Sequence, residues 1–314
     1  MAHIVITGGA GFIGSNIASE LCEKHTVVVI DNLSTGRHEN IKDLLDKIRF
    51  VKGDIRDTDL LRREFDSADY VLHQAAFPSV QRSIEDPVAT NLINVDGTLS
   101  VLLAARDCGV KKVVYASSSS VYGDTPILPK REDMPPNPKS PYAITKLAGE
   151  YYCRVFSEIY GLKTVALRYF NVFGPRQDPS SQYAAVIPLF ITRILKRKPP
   201  IIFGDGLQTR DFTYVRDVVQ ANILAMKSQA EGVFNIASGS RISVNDLADK
   251  IMDITGVRME KIFDKPRQGD IKDSLADISY AKRMLGYEPR FDLETGLKET
   301  VAWFQKSLRT RSYA

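Results

Sequence analysis

The sequence predicts an α/β protein built around a doubly wound parallel sheet, with a smaller α/β lobe towards the carboxyl terminus. Short β-branched runs alternate with longer segments of helical period through the first half of the chain, and a glycine-rich turn follows the first run. The length of 314 residues lies near the limit of a single core, which favours two lobes.

Six runs are predicted strands, and each is followed by a segment long enough to cross back over the sheet. The predicted strands span residues 3–7, 26–30, 49–51, 70–73, 112–116 and 164–169. The predicted helices span residues 12–23, 41–47, 58–65, 91–108 and 142–160. Repeated strand–helix–strand units imply right-handed crossovers and therefore parallel strands.

Two irregular stretches mark the boundary between the lobes. Six prolines fall between residues 126 and 141, which predicts a loop, and a second irregular stretch at 174–181 precedes an apolar helix predicted over 186–195. We therefore assign residues 1–170 to the first lobe and residues 171–314 to the second, with the two partly interleaved.

Composition excludes several classes of function. The 42 Lys and Arg against 38 Asp and Glu give a net charge of +4, and the basic residues are scattered, which argues against nucleic-acid binding. The three cysteines form no CxxC pair and the four histidines lack metal-ligand spacing, so no metal site is expected. No apolar run approaches the roughly 20 residues of a membrane span, and the apolar start is too short for a signal peptide. The expected location is cytoplasmic, with no membrane partner.

The glycine-rich turn predicts a dinucleotide site. Gly9, Gly11 and Gly14 fit the dinucleotide fingerprint, and Gly8, Gly11 and Gly14 fit its longer-spaced variant. In either register the turn follows the first strand and opens a helix whose N-terminus would face a pyrophosphate. Asp31 ends the second strand 20 residues after Gly11, where a carboxylate holds ribose hydroxyls and repels a 2′-phosphate. This favours NAD over NADP, although Arg37 nearby could offset the repulsion. The lobe is thus of Rossmann type, and Asp54, Ile55, Gln74, Ala75 and Ala76 are expected at the same sheet edge.

A chemical site is predicted where Tyr142 and Lys146 lie four apart on one face of a helix. A tyrosine that acts as a base near neutral pH needs its pKa lowered from about 10 to about 7, which an adjacent ammonium and a positive nicotinamide ring could do together. Hydroxyls in the serine run 117–120, at the carboxyl end of the fifth strand, can donate to or accept from a substrate oxygen.

At this point the chain resembles the extended short-chain dehydrogenase/reductase superfamily, and within it the UDP-sugar 4-epimerases. The residues that carry the resemblance are 7–14 (TGGAGFIG), 31–36 (DNLSTG), 53–55 (GDI), 117–123 (SSSSVYG), 141–146 (PYAITK), 168–171 (RYFN) and 210–212 (RDF). The resemblance implies that Tyr142 removes the proton from the sugar 4-hydroxyl while the C4 hydride passes to a tightly held NAD. It places the catalytic hydroxyl at Ser118, with Ser119 as the alternative register.

The resemblance also implies the wider binding sets. The remaining cofactor contacts are Phe12, Ile13, Asn32, Ser34, Thr35, Gly36, Asn94, Ser117 and Phe170. The substrate contacts are Ser118, Tyr142, Asn171, Ala185, Val186, Ile201, Phe203, Arg210, Arg267, Asp270 and Ser274, of which the two arginines would grip the diphosphate. Ser274 aligns with a gate position that is a bulky tyrosine in epimerases restricted to glucose and galactose, so it predicts room for an acetamido group.

Related activities are separated by single positions. The 4,6-dehydratases carry an Asp–Glu pair where this chain has Ser119 and Ser120, and the UDP-glucuronate decarboxylases carry a glutamate there, so both are disfavoured. UDP-glucuronate 4-epimerases share the serine run but usually have a threonine in the segment that is Phe170-Asn171-Val172 here. They, or another nucleotide-sugar enzyme of the same superfamily, remain the alternative enzyme, and an NAD-binding regulator is the alternative without catalysis. The resemblance also implies a homodimer, formed through the helices around 91–108 and 142–160.

Overall fold

The computed structural model of the chain describes residues 1–179, 185–266 and 271–311, with the side chains of the last helix as far as residue 308. The strands are β1 His3–Thr7, β2 Thr26–Asp31, β3 Arg49–Lys52, β4 Tyr70–His73, β5 Lys112–Ser118, β6 Thr164–Tyr169, β7 Val172–Phe173, β8 Ile201–Phe203, β9 Thr209–Arg210, β10 Thr213–Tyr214, β11 Gly232–Ile236, β12 Ile242–Ser243 and β13 Ile262–Asp264.

The helices flank these strands and are connected by several short turns. The α-helices are α1 Phe12–Leu21, α2 Thr58–Phe65, α3 Val80–Glu85, α4 Pro87–Asn91, α5 Gly97–Asp107, α6 Pro141–Tyr160, α7 Val186–Leu195, α8 Val215–Lys227, α9 Val244–Thr255, α10 Ser279–Leu285 and α11 Leu293–Arg311. Three 3₁₀ turns span His38–Asn40, Lys42–Leu44 and Ser119–Tyr122, and one π-helical turn spans Leu92–Asp96.

Seven parallel strands form the central sheet in the order β3-β2-β1-β4-β5-β6-β11. The direction of winding reverses between β1 and β4, where a doubly wound sheet opens a crevice at the carboxyl ends of its strands. Buried apolar side chains cover both faces of the sheet, among them Ile6 and Val29 on one face and Val5 and Val71 on the other. The predicted fold class is confirmed.

The second lobe packs α7, α9 and α11 around their own core, which includes Phe173, Phe190 and Leu247. Its short strands pair locally, as β7 with β10, β8 with β13, and β9 with β12. Strand β11 comes after residue 171 yet lies beside β6 in the central sheet. The chain therefore returns to the first lobe after the predicted boundary.

Two predicted helices differ from the structure. Residues 41–47 do not form one helix, because Asn40 and Leu44 each bond three residues back, to Arg37 and Ile41, and two tight 3₁₀ turns result. Residues 91–108 are divided by the π-helical turn, so that α4 precedes it and α5 follows it.

The stretch Pro87–Asp107 is long and apolar enough to cross a membrane by length and composition alone, which qualifies the expectation that no segment approaches a span. Within that window 44% of the residues are buried inside the protein. Val101, Leu102 and Ala105 of α5 lie in the core beneath the sheet, as in a core helix of a soluble domain.

The helix that carries Tyr142 and Lys146 is fixed closely against β5. Pro141 opens α6, and the Ser140 hydroxyl caps it by accepting from the Ala143 N–H. A Cβ at Gly149 would lie 2.3 Å from the Tyr115 hydroxyl oxygen, so only glycine allows this approach. The close contact brings the first turns of α6 to the carboxyl end of β5.

Candidate active site

A cavity of about 680 Å³ opens at the carboxyl ends of β1, β2, β4 and β5. It is lined by most of the residues expected to hold a cofactor: Gly8, Gly11, Phe12, Ile13, Gly14, Asp31, Asn32, Ser34, Thr35, Gly36, Asp54, Ile55, Gln74, Ala75, Ala76, Ser117, Tyr142 and Lys146. The structure thus brings the glycine turn and the Tyr142–Lys146 pair into one cavity.

The glycine turn presents backbone N–H groups to this cavity. Gly11 precedes α1 in extended conformation and has no side chain to cap it, and the first turn, which starts with Phe12, contains no acidic residue. A Cβ at Gly14 would lie 2.3 Å from the Gly8 carbonyl oxygen, so helix and turn touch directly. An uncapped helix N-terminus over a glycine cradle is the donor set that a diphosphate requires, so these residues fit a dinucleotide.

Asp31 connects the second strand to the turn. Its buried carboxylate accepts from the N–H groups of Ala10 and Leu33, at 3.0 and 2.8 Å. Burial raises the pKa of Asp31, and these backbone donors oppose the rise. The carboxylate therefore stabilises the turn while it faces the cavity. Arg37, which also lines the cavity, pairs with Asp178 at 3.1 Å.

Asp54 is held in place by its neighbours. The Arg56 guanidinium donates two hydrogen bonds of 2.9 Å to its carboxylate, and the Asn32 amide donates a third of 2.9 Å. These donors, led by Arg56, hold the pKa of Asp54 well below its usual range. The carboxylate is therefore an ionised acceptor at the adenine end predicted for the cavity.

Ser118, Tyr142 and Lys146 are brought together as expected. Ser118 lies close enough to the Tyr142 phenol for its hydroxyl to lower the pKa of that phenol. Lys146 donates to the Ala116 carbonyl at 2.7 Å, and its Nζ lies 5.9 Å from the centroid of the Tyr142 ring. The proximity to Tyr142 favours Ser118 over Ser119 as the residue in the hydroxyl register.

Burial affects both ionisable groups of this set. It raises the pKa of Tyr142, and the Ser118 hydrogen bond opposes the rise. It lowers the pKa of Lys146 to about 8, so the ammonium form still predominates at neutral pH. Lowering the Tyr142 pKa to the neutral range therefore requires Lys146 to keep its charge and a further positive charge in the cavity.

Two residues expected to touch the cofactor do not line the cavity. Asn94 is buried in the π-helical turn, where it bonds both backbone groups of Phe77 and the Thr145 hydroxyl. Phe170 is fully buried and packs against Tyr122. Both side chains instead support elements that line the cavity.

The expected substrate residues are distributed over the second lobe. The Asn171 amide donates to the Ser274 hydroxyl at 3.0 Å and to the Asp211 carbonyl at 2.9 Å. Arg210 in β9 donates to the carbonyls of Thr209 and Lys272. Ala185 lines the cavity, Val186 begins α7, and Ile201 and Phe203 lie in β8. Arg267 and Asp270 lie outside the described residues.

Several cavity residues were not predicted from the sequence. They include Pro78, Ser79, Arg82, Tyr169, Arg176 and Gln177. Ser79 has a φ of 96°, which is rare for a residue with a side chain and is often found at functional sites. The first three follow the Gln74-Ala75-Ala76 segment closely, so extending that segment was the one available signal. Within the described part of the chain, no group of three or more His, Cys, Asp or Glu could hold a metal ion.

Comparisons with known proteins agree with this geometry. Residues 4–237 match the model of the NAD dependent epimerase/dehydratase family. A putative UDP-glucose 4-epimerase from Methanocaldococcus jannaschii is 45% identical, covering 98% of this chain and 100% of the relative.

Two solved structures are similar over nearly the whole chain. The UDP-N-acetylglucosamine 4-epimerase of Methanobrevibacter ruminantium, in complex with UDP-N-acetylmuramic acid, has a TM-score of 0.95 at 44% identity and covers 98% of this chain and 99% of its own. The UDP-glucose 4-epimerase of Thermotoga maritima, with UDP-glucose, has a TM-score of 0.94 at 42% identity, with the same coverage. The predicted family and its NAD cofactor are confirmed: the chain belongs to the NAD dependent epimerase/dehydratase family.

Proposed function

We propose that this protein is a UDP-hexose 4-epimerase that acts on UDP-glucose and UDP-galactose and on their N-acetylated counterparts. The observation that carries the proposal is the proximity of Ser118, Tyr142 and Lys146, together with the fact that Tyr142 and Lys146 line the same cavity as the glycine turn. A regulator without catalysis would not need these three groups together. Phe170 and Asn171 in place of the usual threonine segment favour neutral hexoses over glucuronate.

Different cavity residues are assigned to different parts of NAD. We assign the diphosphate to the N–H groups that follow Gly11, the adenosine ribose to Asp31, and the adenine edge to Asp54. When bound, NAD supplies a hydride acceptor for C4 of the sugar and a positive charge beside Tyr142. Asn94 supports the site indirectly, because its side chain hydrogen-bonds to the Phe77 backbone and to the Thr145 hydroxyl next to the cavity.

The residues of the chain then move one proton and orient the sugar. The Tyr142 phenolate accepts the proton of the sugar 4-hydroxyl, and Lys146 stabilises the phenolate electrostatically. The Ser118 hydroxyl hydrogen-bonds to the same 4-oxygen of the sugar. The 4-keto sugar presents its other face, and Tyr142 returns the proton as the opposite configuration forms. No net oxidation results.

We assign substrate recognition to the second lobe, where Asn171, Arg210 and Ser274 are close in the chain's hydrogen-bond network. With Arg267 and Asp270, they are proposed to bind the diphosphate and the ribose of UDP. Ser274 is half-buried and its hydroxyl contacts Asn171 and the Asp211 N–H, so its small side chain leaves space beside the proposed sugar site.

A homodimer is proposed from exposed apolar side chains on α4, the π-helical turn and α6. Val88, Leu92, Ile144 and Ile159 are exposed by 67%, 41%, 56% and 69%. Because α4 and the π-helical turn both contact α6, we assign the dimer contact to these elements, where a second copy of the chain would cover the apolar side chains. The cytoplasmic location and the absence of nucleic-acid and membrane partners remain predictions from the composition.

The activity can be tested with the purified protein, first without and then with added NAD. Incubation with UDP-glucose, UDP-GlcNAc and UDP-glucuronate, followed by NMR of the anomeric protons, should show interconversion of the first two only. Tyr142→Phe should reduce turnover by about 10²–10⁴-fold, because the proton acceptor is removed. Interconversion of glucuronate alone would support the alternative epimerase, and full activity of the variant would refute the proposed base.

Alanine substitutions at Gly14 and Gly11 should affect different properties, the first the stability of the fold and the second the binding of NAD. Gly14→Ala places a Cβ against the Gly8 backbone and should reduce the free energy of unfolding by about 1–3 kcal/mol. At Gly11 the nearest atom to an added Cβ is the Gly8 oxygen at 3.1 Å, so Gly11→Ala should fold almost normally yet lose the rise in melting temperature caused by NAD. Thermal unfolding with and without NAD measures both. Equal behaviour of the two variants would contradict the assigned cradle.

Ser274 provides a test of specificity. Ser274→Tyr should abolish activity on the N-acetylated pair while activity on UDP-glucose persists, because the bulky ring would fill the space for the acetamido group. Ser274→Ala is the matched control: it loses the hydrogen bond with Asn171 but keeps the space, so both pairs should still react. Separate kcat/KM values for each pair decide the matter, and equal loss on both pairs in the tyrosine variant would exclude a gate.

The dimer surface can be tested with charged substitutions. The double variant Leu92→Glu and Ile144→Glu should sediment as a monomer, because two carboxylates would be buried in the contact. Ile127→Glu is the control, since Ile127 is 61% exposed but lies in the proline-rich loop. A wild-type protein that sediments as a monomer, or a double variant that remains a dimer, would rule out this surface.

A further inference from the structure

A third buried residue continues the stripe formed by Tyr142 and Lys146 on α6. Glu150 is one turn after Lys146, and each of the three residues faces the end of β5. Tyr142 lies close to Ser118, Lys146 donates to the Ala116 carbonyl, and Glu150 accepts from the Ser117 hydroxyl. Glu150 is only 4% exposed, so its carboxylate is almost completely withdrawn from water.

Arg168 holds this carboxylate from the opposite side. Its Nε and one terminal nitrogen donate to the two oxygens of Glu150, at 2.8 and 2.7 Å, in a bidentate pair. Arg168 lies in β6 directly beside Ser117 of β5. The Glu150 carboxylate is therefore fixed both by the strand of the serine run and by its neighbour.

The position of the pair is more informative than its strength. A buried ion pair commonly adds little stability compared with apolar residues of the same volume, so stability alone does not account for it. Here the pair touches Ser117, which lines the cavity, and lies one helical turn from Lys146. Because the Ser117 proton is donated to Glu150, the Ser117 oxygen can only accept hydrogen bonds from an occupant of the cavity.

We propose that Glu150, clamped by Arg168, is a positioning residue for the epimerase reaction: it orients the Ser117 hydroxyl and keeps Lys146 charged beside Tyr142. The proposal rests on the proposed function. In this role the Glu150 carboxylate places a fixed negative charge near the buried lysine while it accepts from the Ser117 hydroxyl.

The electrostatic surroundings of Lys146 support this role. Burial lowers the pKa of Lys146, and Cys153 and the Glu150 carboxylate oppose this. Because burial raises the pKa of the Cys153 thiol well above its usual range, Glu150 is the partner that carries a negative charge at neutral pH. The other titratable and charged groups that face Lys146 from the packed elements are Tyr142 and Cys153 of α6, Tyr115 of β5, His73 of β4 and, through Glu150, Arg168 of β6. Burial lowers the pKa of His73 to about 3, so this imidazole is neutral, and Glu150 is the one carboxylate in the set.

The central experiment compares Glu150→Gln with Glu158→Gln. Glu158 is two turns further along α6, exposed and paired only with Arg154 among its described ion pairs, which makes it a matched control. In Glu150→Gln we expect kcat to fall about 10-fold or more with little change in KM. The loss of activity at alkaline pH should begin about 0.5–1 pH unit lower, since Lys146 loses its carboxylate. Glu158→Gln should match the wild type in both respects.

A second variant keeps the test conclusive if Glu150→Gln fails to fold. Glu150→Gln leaves the Arg168 charge buried without its partner, whereas Glu150→Met combined with Arg168→Met removes both charges and should fold. The double variant should keep the melting temperature within a few degrees of the wild type but retain the low kcat and the shifted pH profile. Wild-type kcat and pH profile in a folded double variant would overturn the proposal.

A readout independent of activity separates this proposal from the proposed function. The pH dependence of Lys146 acylation by acetic anhydride, followed by peptide mass spectrometry, reports when the ammonium loses its proton. Its midpoint should fall in Glu150→Gln and stay unchanged in Glu158→Gln. A wild-type protein without epimerase activity but with this shift would refute the proposed function alone, and an unchanged midpoint would refute the role of Glu150.

Discussion

The contact between α6 and the carboxyl end of β5 is the constraint on which the site depends. Gly149 lets the helix approach the Tyr115 ring, and the Lys146 ammonium lies 5.0 Å from the centroid of that ring. At this separation Lys146 and Glu150 of one helical stripe bond directly to the last residues of the strand. A residue larger than glycine would force the helix and the Tyr115 ring apart, and these direct bonds would lengthen.

The same approach explains why the ionisable groups of the site are strongly perturbed. A helix packed this closely excludes solvent, so burial penalises the charged forms of both Tyr142 and Lys146. The structure compensates with fixed partners, such as the Ala116 carbonyl and the Glu150 carboxylate. A loosely packed helix would leave both groups near their ordinary pKa values, but it would not hold the Lys146 ammonium close to the phenol.

The sequence predicted the features that have local signals. Three strands match residue for residue. The glycine turn was predicted from its spacing between a strand and a helix, and the Tyr142–Lys146 pair from its spacing together with the serine run and the family resemblance. The features that were not predicted depend on contacts between segments far apart in the sequence. Strand β11 is separated from β6 by more than one intervening helix, and a five-residue run gives no indication of the strand beside which it lies. The π-helical turn that withdraws Asn94 from the cavity depends on packing against α6, which no periodicity encodes.

Strand β6 and the residues after it join the parts of the site. Arg168 reaches Glu150 beneath the proposed base, Tyr169 bonds with Gln74 at the cofactor edge, and Asn171 reaches Ser274 in the second lobe. Neighbouring residues of a strand point to opposite faces, so these contacts are possible only in one register of β6 against β5. A slip of one residue would put Arg168 on the wrong face and leave the buried Glu150 charge unpaired. The penalty for that buried charge therefore helps to fix the register that aligns cofactor edge, base and substrate lobe.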